Sequence, residues 1–217
     1  MTIIRNKYCC NTDCNELVEQ IKCQRELQDI ILVERKKELA GDKVGKVDVI
    51  RDTYRQCRDI VEIDMIVDLD ITSPIRRLRD VERAIEEYCS STQYDMVFSV
   101  VEARRNPYFN MVEMKNTGFY GKVCKSQFTS RQEAPTIYEM NASIYVYNPN
   151  YLSSGSSKTT LENKCGVIVM TDYLVLDIDS EDDYKMMNML YTYCRKEDPE
   201  LDAIYRGHKV YTIIARR

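Results

Sequence analysis

Residues 63–80 read IDMIVDLDITSPIRRLRD, and the fold follows from this stretch. An apolar run, Met65-Ile66-Val67, leads into two carboxylates at i, i+2, Asp68 and Asp70. Thr72, Ser73 and Pro74 follow, with Arg76, Arg77 and Arg79 close behind. An apolar run, turn residues and then a helical pattern describe a buried strand delivering its polar end to a crevice. In open α/β sheets, ligands bind just outside the carboxyl ends of such strands.

Outward from this stretch the pattern alternates. Upstream, residues 3–11 form a short mixed strand. Asn11-Thr12-Asp13 with Glu16 resembles a capping box that opens a helix to about Gln28. Residues 29–35 (DIILVER) read as a short apolar strand. Val47, Ile50, Tyr54, Cys57 and Val61 then recur at helical spacing. Downstream, Leu78, Val81, Ile85 and Tyr88 repeat that spacing before the strand MVFSVV at 96–101. Helix and strand in alternation predict a mostly parallel sheet with helices on both faces. Residues 104–140 break the rhythm with three of the four phenylalanines, a length that marks a functional or interaction element. Further strands are expected at 142–147, 166–170 and 173–176. Ser180-x-x-Asp183 caps a helix running to about Cys194, and a strand is possible at 210–214.

Composition narrows the function. The 217 residues, 44% hydrophobic and 30% charged, make one soluble domain with a core of ordinary size. A net charge of -4 excludes a general nucleic-acid binder, whose phosphate contacts need a basic surface. No apolar run reaches the roughly 18 residues of a membrane span, and the start, MTIIRNKYCC, has no signal-peptide core. A cytoplasmic protein is expected. The nine cysteines follow no zinc-site spacing and there is one histidine, His208, so they read as reduced thiols.

Two acidic pairs stand out. Asp177 and Asp179 belong to a run that continues through Glu181, Asp182 and Asp183 without a basic residue. Were residues 174–178 a strand, Asp177 and Asp179 would face one side and offer Mg²⁺ two hard oxygens. The helix N-terminus explains the later acids by itself. Asp68 and Asp70 have the same spacing and would also suit a metal-dependent glycosyltransferase. Lys122, Lys125 and Arg131 are candidate partners of an acidic ligand. No Ser/His/Asp set is present.

Several separated motifs, in order, resemble the acylneuraminate cytidylyltransferases, the family of CMP-sialic acid synthetases and their legionaminic relatives. Arg35 and Glu38-Leu39-Ala40-Gly41-Asp42 resemble the family's R and E-L-A-x-D loop. Asp70-Ile71-Thr72-Ser73-Pro74-Ile75-Arg76 resembles its (Q/D)-x-T-S-P-L-R. VFSVVE at 97–102, Arg131-Gln132 to Pro135, and Met140-Asn141-Ala142-Ser143-Ile144-Tyr145 resemble later segments. LDIDSEDDY at 176–184 resembles the closing D-I-D-x-x-x-D-F signature. The resemblance implies a Rossmann-like nucleotide-diphospho-sugar transferase fold, incomplete at the N-terminus, in a single domain over residues 1–194. It leaves a tail at 195–217 of no assigned role.

The same resemblance implies a Mg²⁺-dependent reaction of CTP with a nonulosonic acid, giving a CMP-sugar and pyrophosphate. Asp177 and Asp179 would hold the metal, Arg35 and Asp42 would lie beside the nucleotide, and Asp70, Ser73, Gln132 and Asn141 would face the sugar acid. Residues 104–141 would form an arm that reaches over a second subunit in a homodimer. One departure is plain: the family's opening strand and Gly/Ser/Lys/Arg-rich phosphate loop have no counterpart before Asn11-Thr12-Asp13. A family member that binds a sugar acid or a protein without transferring nucleotide is therefore the alternative.

Overall fold

The computed structural model describes residues 2–4, 7–24, 27, 29–41, 44–154, 161 and 164–206. Asp42, His208 and the strand expected at 210–214 lie outside them. Nine strands and six helices follow in the order β1 (Thr2–Ile4), β2 (Lys7–Thr12), α1 (Asn15–Cys23), β3 (Ile30–Glu34), α2 (Lys46–Cys57), β4 (Ile66–Leu69), α3 (Leu78–Ser90), β5 (Met96–Glu102), β6 (Val112–Met114), β7 (Tyr120–Lys122), β8 (Tyr138–Tyr147), α4 (Pro149–Ser154), β9 (Cys165–Val169), α5 (Glu181–Glu197) and α6 (Pro199–Tyr205).

Seven strands form one sheet in the order β3-β2-β1-β4-β8-β5-β9. Strands β2 and β3 pair in parallel, as do β5 and β9, while β1 and β8 run antiparallel to both of their neighbours. Five strands (β2, β3, β4, β5 and β9) therefore point the same way, and their carboxyl ends share one edge. The alternation foretold that common direction. It did not foretell β8, which returns from the arm and inserts between β4 and β5. The centre of the sheet is not empty either, because β1 fills the position between β2 and β4 in the reverse direction.

Side chains of the central strands alternate between two cores, as the two-residue period demands. Ile66, Met96, Phe98, Val100, Tyr145 and Tyr147 pack with Val47 and Ile50 of α2. Val67, Val97, Val101, Ile144 and Val146 pack with Val81 and Ala84 of α3, Met187 and Cys194 of α5, and Leu201 of α6. Helices thus cover both faces, and these strands carry apolar residues on each side. A third small core joins the buried thiols Cys9 and Cys57, whose sulfurs are 3.4 Å apart, to Val33.

Three local expectations are corrected, at helix α1, at residues 172–175 and at the tail. Helix α1 ends at Cys23 rather than near Gln28, and its N-cap is Cys14 with no side-chain cap; Thr12 Oγ1 accepts instead from the Cys14 N–H at 3.1 Å. Residues 172–175 are a turn of 3-10 helix, not a strand, so the Asp177–Asp179 geometry does not come from a pleat. The arm (104–141) is a looped segment carrying the separate hairpin β6–β7, turned at Gly118 with φ 80°. The domain also continues past residue 194. Leu201 is fully buried, and the Tyr205 hydroxyl donates to the Pro74 carbonyl at 2.7 Å.

A buried arginine anchors that extension. Arg77 donates to Asp198 at 2.5 Å, to the Thr171 hydroxyl at 2.8 Å and to the Tyr173 hydroxyl at 2.6 Å, with the buried Asp80 carboxylate 3.7 Å away. Asp198 in turn caps α6, accepting from the N–H groups of Glu200 and Leu201. Burial pushes the Asp198 carboxyl up, but the Arg77 hydrogen bond and the capping N–H groups outweigh it and hold it below the ordinary value. That stability is complete above the unfolded pKa and is lost as pH falls through the depressed folded one. Arg77→Ala is expected to cost about 3–5 kcal/mol in denaturant titrations at pH 7. The gap to wild type should narrow below about pH 4; a gap independent of pH would refute the ion-pair account.

Candidate active site

The edge formed by the strand carboxyl ends collects the polar residues. Alternation along β4 turns Asp68 to the α2 side with Ile66, and Asp70 follows it. The first residue of α2, Lys46, meets both: its ammonium is 2.9 Å from Asp68 Oδ2 and 2.6 Å from Asp70 Oδ2. The contact to Asp70 is a directed hydrogen bond, whereas Asp68 is met as an ion pair without that alignment. The same ammonium lies 4.1 Å from the ring centroid of Tyr145, the cross-strand partner of Asp68. Burial works against the Lys46 charge, but Asp68 and Asp70 outweigh it and raise its pKa. Burial likewise opposes the Asp70 charge, and Lys46 together with Thr72 holds that carboxyl below its ordinary value.

Residues 70–73 form a tight loop. Asp70 Oδ1 accepts from the Thr72 N–H at 3.2 Å and the Thr72 hydroxyl at 3.0 Å, an Asx-type turn. Arg76 closes the loop from the other side, donating to the carbonyls of Asp70, Ser73 (2.6 Å) and Ser143 (3.2 Å). Desolvation without a paired carboxylate lowers the pKa of Arg76. It is a clasp for the backbone of β8 and the loop, a role its place in the motif does not reveal.

The second acidic segment docks onto this loop. The Ile178 N–H donates to the Thr72 carbonyl at 2.9 Å, which sets Asp177 and Asp179 beside Asp70. Ser180 caps α5 as its spacing predicted: its hydroxyl accepts from the Asp183 N–H at 3.2 Å, and Asp183 accepts from that hydroxyl at 2.6 Å. The Asp177 carboxyl is pushed up, first by burial and then by the charges of Asp179, Asp70 and Asp183. Among the described residues no cation pairs with Asp177 or Asp179, and no three His, Cys, Asp or Glu side chains gather tightly enough to hold an ion by themselves. Two carboxylates under mutual repulsion, open to substrate oxygens, fit a Mg²⁺ ion, which takes one or two protein carboxylates and completes its shell with water and phosphate. Asp68 and Asp70 do not fit, since Lys46 already neutralises them.

The other expected residues lie around this edge. Arg35, at the end of β3, donates to the Asn11 side chain at 3.0 Å and the Asn11 carbonyl at 2.8 Å, with Asp13 3.6 Å away. Gln132 is exposed in a turn at the root of the arm, where Arg131 reaches the Ala103 carbonyl at 3.3 Å. Ser73 is buried. Asn141 is 1% exposed; it accepts from the Ser99 hydroxyl at 2.6 Å and donates to the Leu174 carbonyl at 3.1 Å. Asn141 thereby ties the β8 bulge, where Ala142 sits at φ 49°, to the turn before Asp177. Lys122 donates to the Phe128 carbonyl at 2.7 Å and braces the arm rather than facing the crevice. Sequence reading passed over Lys46 and Tyr145. Only a lysine at the start of a helix opposite an acidic strand end could have signalled them.

Fold and edge together define the class: a nucleotide-diphospho-sugar transferase fold with acidic residues gathered where the strands end. The structure matches that of a CMP:2-keto-3-deoxy-manno-octonic acid synthetase solved with CTP, with a TM-score of 0.58 at 13% identity, over 86% of this chain and 81% of that one. In sequence the chain is 35% identical over 165 residues to post-translational flagellin modification protein B of Campylobacter coli. It is 36% identical over 165 residues to CMP-N,N'-diacetyllegionaminic acid synthase of Campylobacter jejuni. Each alignment covers 74% of this chain and 67% of the relative. No protein-family model matches. The chain belongs to the acylneuraminate cytidylyltransferase family, the group that includes the CMP-legionaminic acid synthases.

The charge crowding at Asp177 has a measurable consequence. A carboxyl whose folded pKa is raised contributes stability below its unfolded pKa, and that contribution is lost as pH rises through the folded value. In metal-free protein, carboxyl NMR should show Asp177 titrating above an ordinary aspartate, and Asp179→Asn should bring it down. Asp177→Asn should leave the metal-free protein more stable at pH 7 than wild type. A less stable variant would mean that the carboxylate is held by a partner instead of repelled.

Proposed function

We propose that this protein joins CMP, taken from CTP, to the anomeric hydroxyl of a nonulosonic acid and releases pyrophosphate. What carries the reading is the Ile178–Thr72 backbone bond, which places an unpaired carboxylate pair against the Asp70 loop in a member of this family. Magnesium held by Asp177 and Asp179 would supply charge neutralisation at the transferring phosphoryl group. The protein's own residues supply position. Arg35 stands on the nucleotide side. Asp70 and Gln132 meet the sugar acid, while the buried Ser73 and Asn141 hold the surface behind it. The anomeric oxygen attacks the α-phosphorus in line as its proton passes to solvent, the bond to the α–β bridging oxygen breaks, and pyrophosphate departs. A reaction drawing on CTP belongs in the cytoplasm, and among the described residues no helix is long and apolar enough to cross a membrane.

One observation favours a second reading. The central strand β1 runs antiparallel to β4. It presents its amino end to the crevice, where a parallel strand would deliver a phosphate-holding loop. A member that binds a sugar acid or a protein without nucleotide transfer fits that arrangement. Pyrophosphate release from CTP with a panel of nonulosonic acids separates the two readings. Turnover supports transfer; sugar-acid binding by calorimetry with no turnover supports the binding module. If turnover is seen, Asp177→Asn and Asp179→Asn should each lower it on the order of 10²- to 10³-fold, the equivalent of several kcal/mol of lost charge stabilisation.

The arm supports a homodimer. Val112, Met114, Phe119 and Tyr120 are all exposed on the hairpin, a group of apolar side chains that a second copy would cover. Analytical ultracentrifugation should find a dimer that Phe119→Asp converts to monomer. A wild-type monomer at micromolar concentration would refute it.

A further inference from the structure

Lys46 meets the acidic strand end directly, yet nothing in its sequence context assigns it a part in the reaction. Its ammonium is committed to Asp68 at 2.9 Å, to Asp70 at 2.6 Å and to the face of Tyr145. A phosphate or carboxylate arriving from solvent would have to displace two partly buried carboxylates to reach it. Direct contact with an anionic substrate is therefore not what the geometry offers.

A chain of short links leads elsewhere. Lys46 fixes Asp70 Oδ2. The other oxygen of that carboxylate accepts from the Thr72 N–H and hydroxyl at 3.2 and 3.0 Å. The Thr72 carbonyl accepts from the Ile178 N–H at 2.9 Å, and Ile178 is flanked by Asp177 and Asp179. Arg76 pins the Asp70 and Ser73 carbonyls, so the loop between them is free to respond mainly through the Asp70 side chain. We infer that Lys46 is a positioning residue for the carboxylate pair: by clamping Asp70 against Asp68, it sets through Thr72 where Asp177 and Asp179 stand. Without it, Asp68 and Asp70 repel each other and the turn that presents the Thr72 carbonyl loosens.

This inference rests on the metal reading of Asp177 and Asp179, and a metal-binding measurement separates the two. Two views of Lys46 predict opposite signs. If it acted only as a charge, removing it would make the crevice more negative and tighten cation binding. If it positions the pair, removing it loosens binding.

Mn²⁺ titration of the full chain, with free ion followed by electron paramagnetic resonance, reads this without any turnover. Wild type should bind, and Asp177→Asn and Asp179→Asn should abolish binding. Lys46→Met should weaken it about tenfold or more, the usual effect of losing a residue that orients a ligand. Lys46→Arg, able to bridge the same two carboxylates, should restore most of the affinity. Asp70→Ala removes the next link and should weaken binding similarly, and the double variant Lys46→Met/Asp70→Ala should be no worse than either single one. Lys46→Gln, which also removes the charge, reads the same opposite signs if Lys46→Met does not fold. Binding by Lys46→Met as tight as wild type, or tighter, would overturn the inference alone. Binding unaffected by Asp177→Asn and Asp179→Asn, or absent from wild type, would overturn the metal reading and this inference with it.

Discussion

One backbone hydrogen bond, from the Ile178 N–H to the Thr72 carbonyl, determines how this crevice is built. It joins the loop after β4 to the segment before α5, two stretches remote in sequence, each bringing acidic residues. Each side is braced independently. Arg76 and the Asp70 turn hold the Thr72 side, while the Ser180 cap and the Asn141–Leu174 bond hold the other. A bond between backbone groups tolerates changes of side chain, so the spacing survives wherever both loops keep their shape.

Charge is divided unevenly across that junction. Asp68 and Asp70 are neutralised by Lys46, while Asp177 and Asp179 are left to repel each other. Unpaired like charges of this kind are tolerated at functional sites, and they are the ones that a metal would pair. The same partition discounts a glycosyltransferase built on the Asp68–Asp70 pair. The extension over α6, with Arg77 and Asp198 at its root and Tyr205 bonded to Pro74, backs the loop from behind.

Much of this was legible because it is local. Residues 63–80 show their strand, loop and helix in order, and the acidic run before α5 with its Ser180 cap needs no distant partner. The helix spacings of α2 and α3 likewise reflect a single apolar stripe each. What sequence reading missed was non-local or degenerate. Strand β8 reads as any apolar strand, and only tertiary pairing inserts it in reverse between β4 and β5. The run Tyr173-Leu174-Val175-Leu176 is apolar enough for a strand but too short to exclude the 3-10 turn it forms. Lys46 reads as one more charge in the mixed charged loop at 36–46, because its partners arrive from another element. Asn141 is expected to face the sugar acid, and its buried place in the bulge depends on Ser99 and Leu174, which its own segment does not announce.

In the proposed reaction, Asp177 and Asp179 are the metal pair. The most direct measurement is an anomalous difference map from crystals grown with Mn²⁺ and CTP. A peak is expected at coordination distance, about 2.1 Å, from carboxylate oxygens of Asp177 and Asp179. A peak between Asp68 and Asp70, with Lys46 displaced, would contradict it.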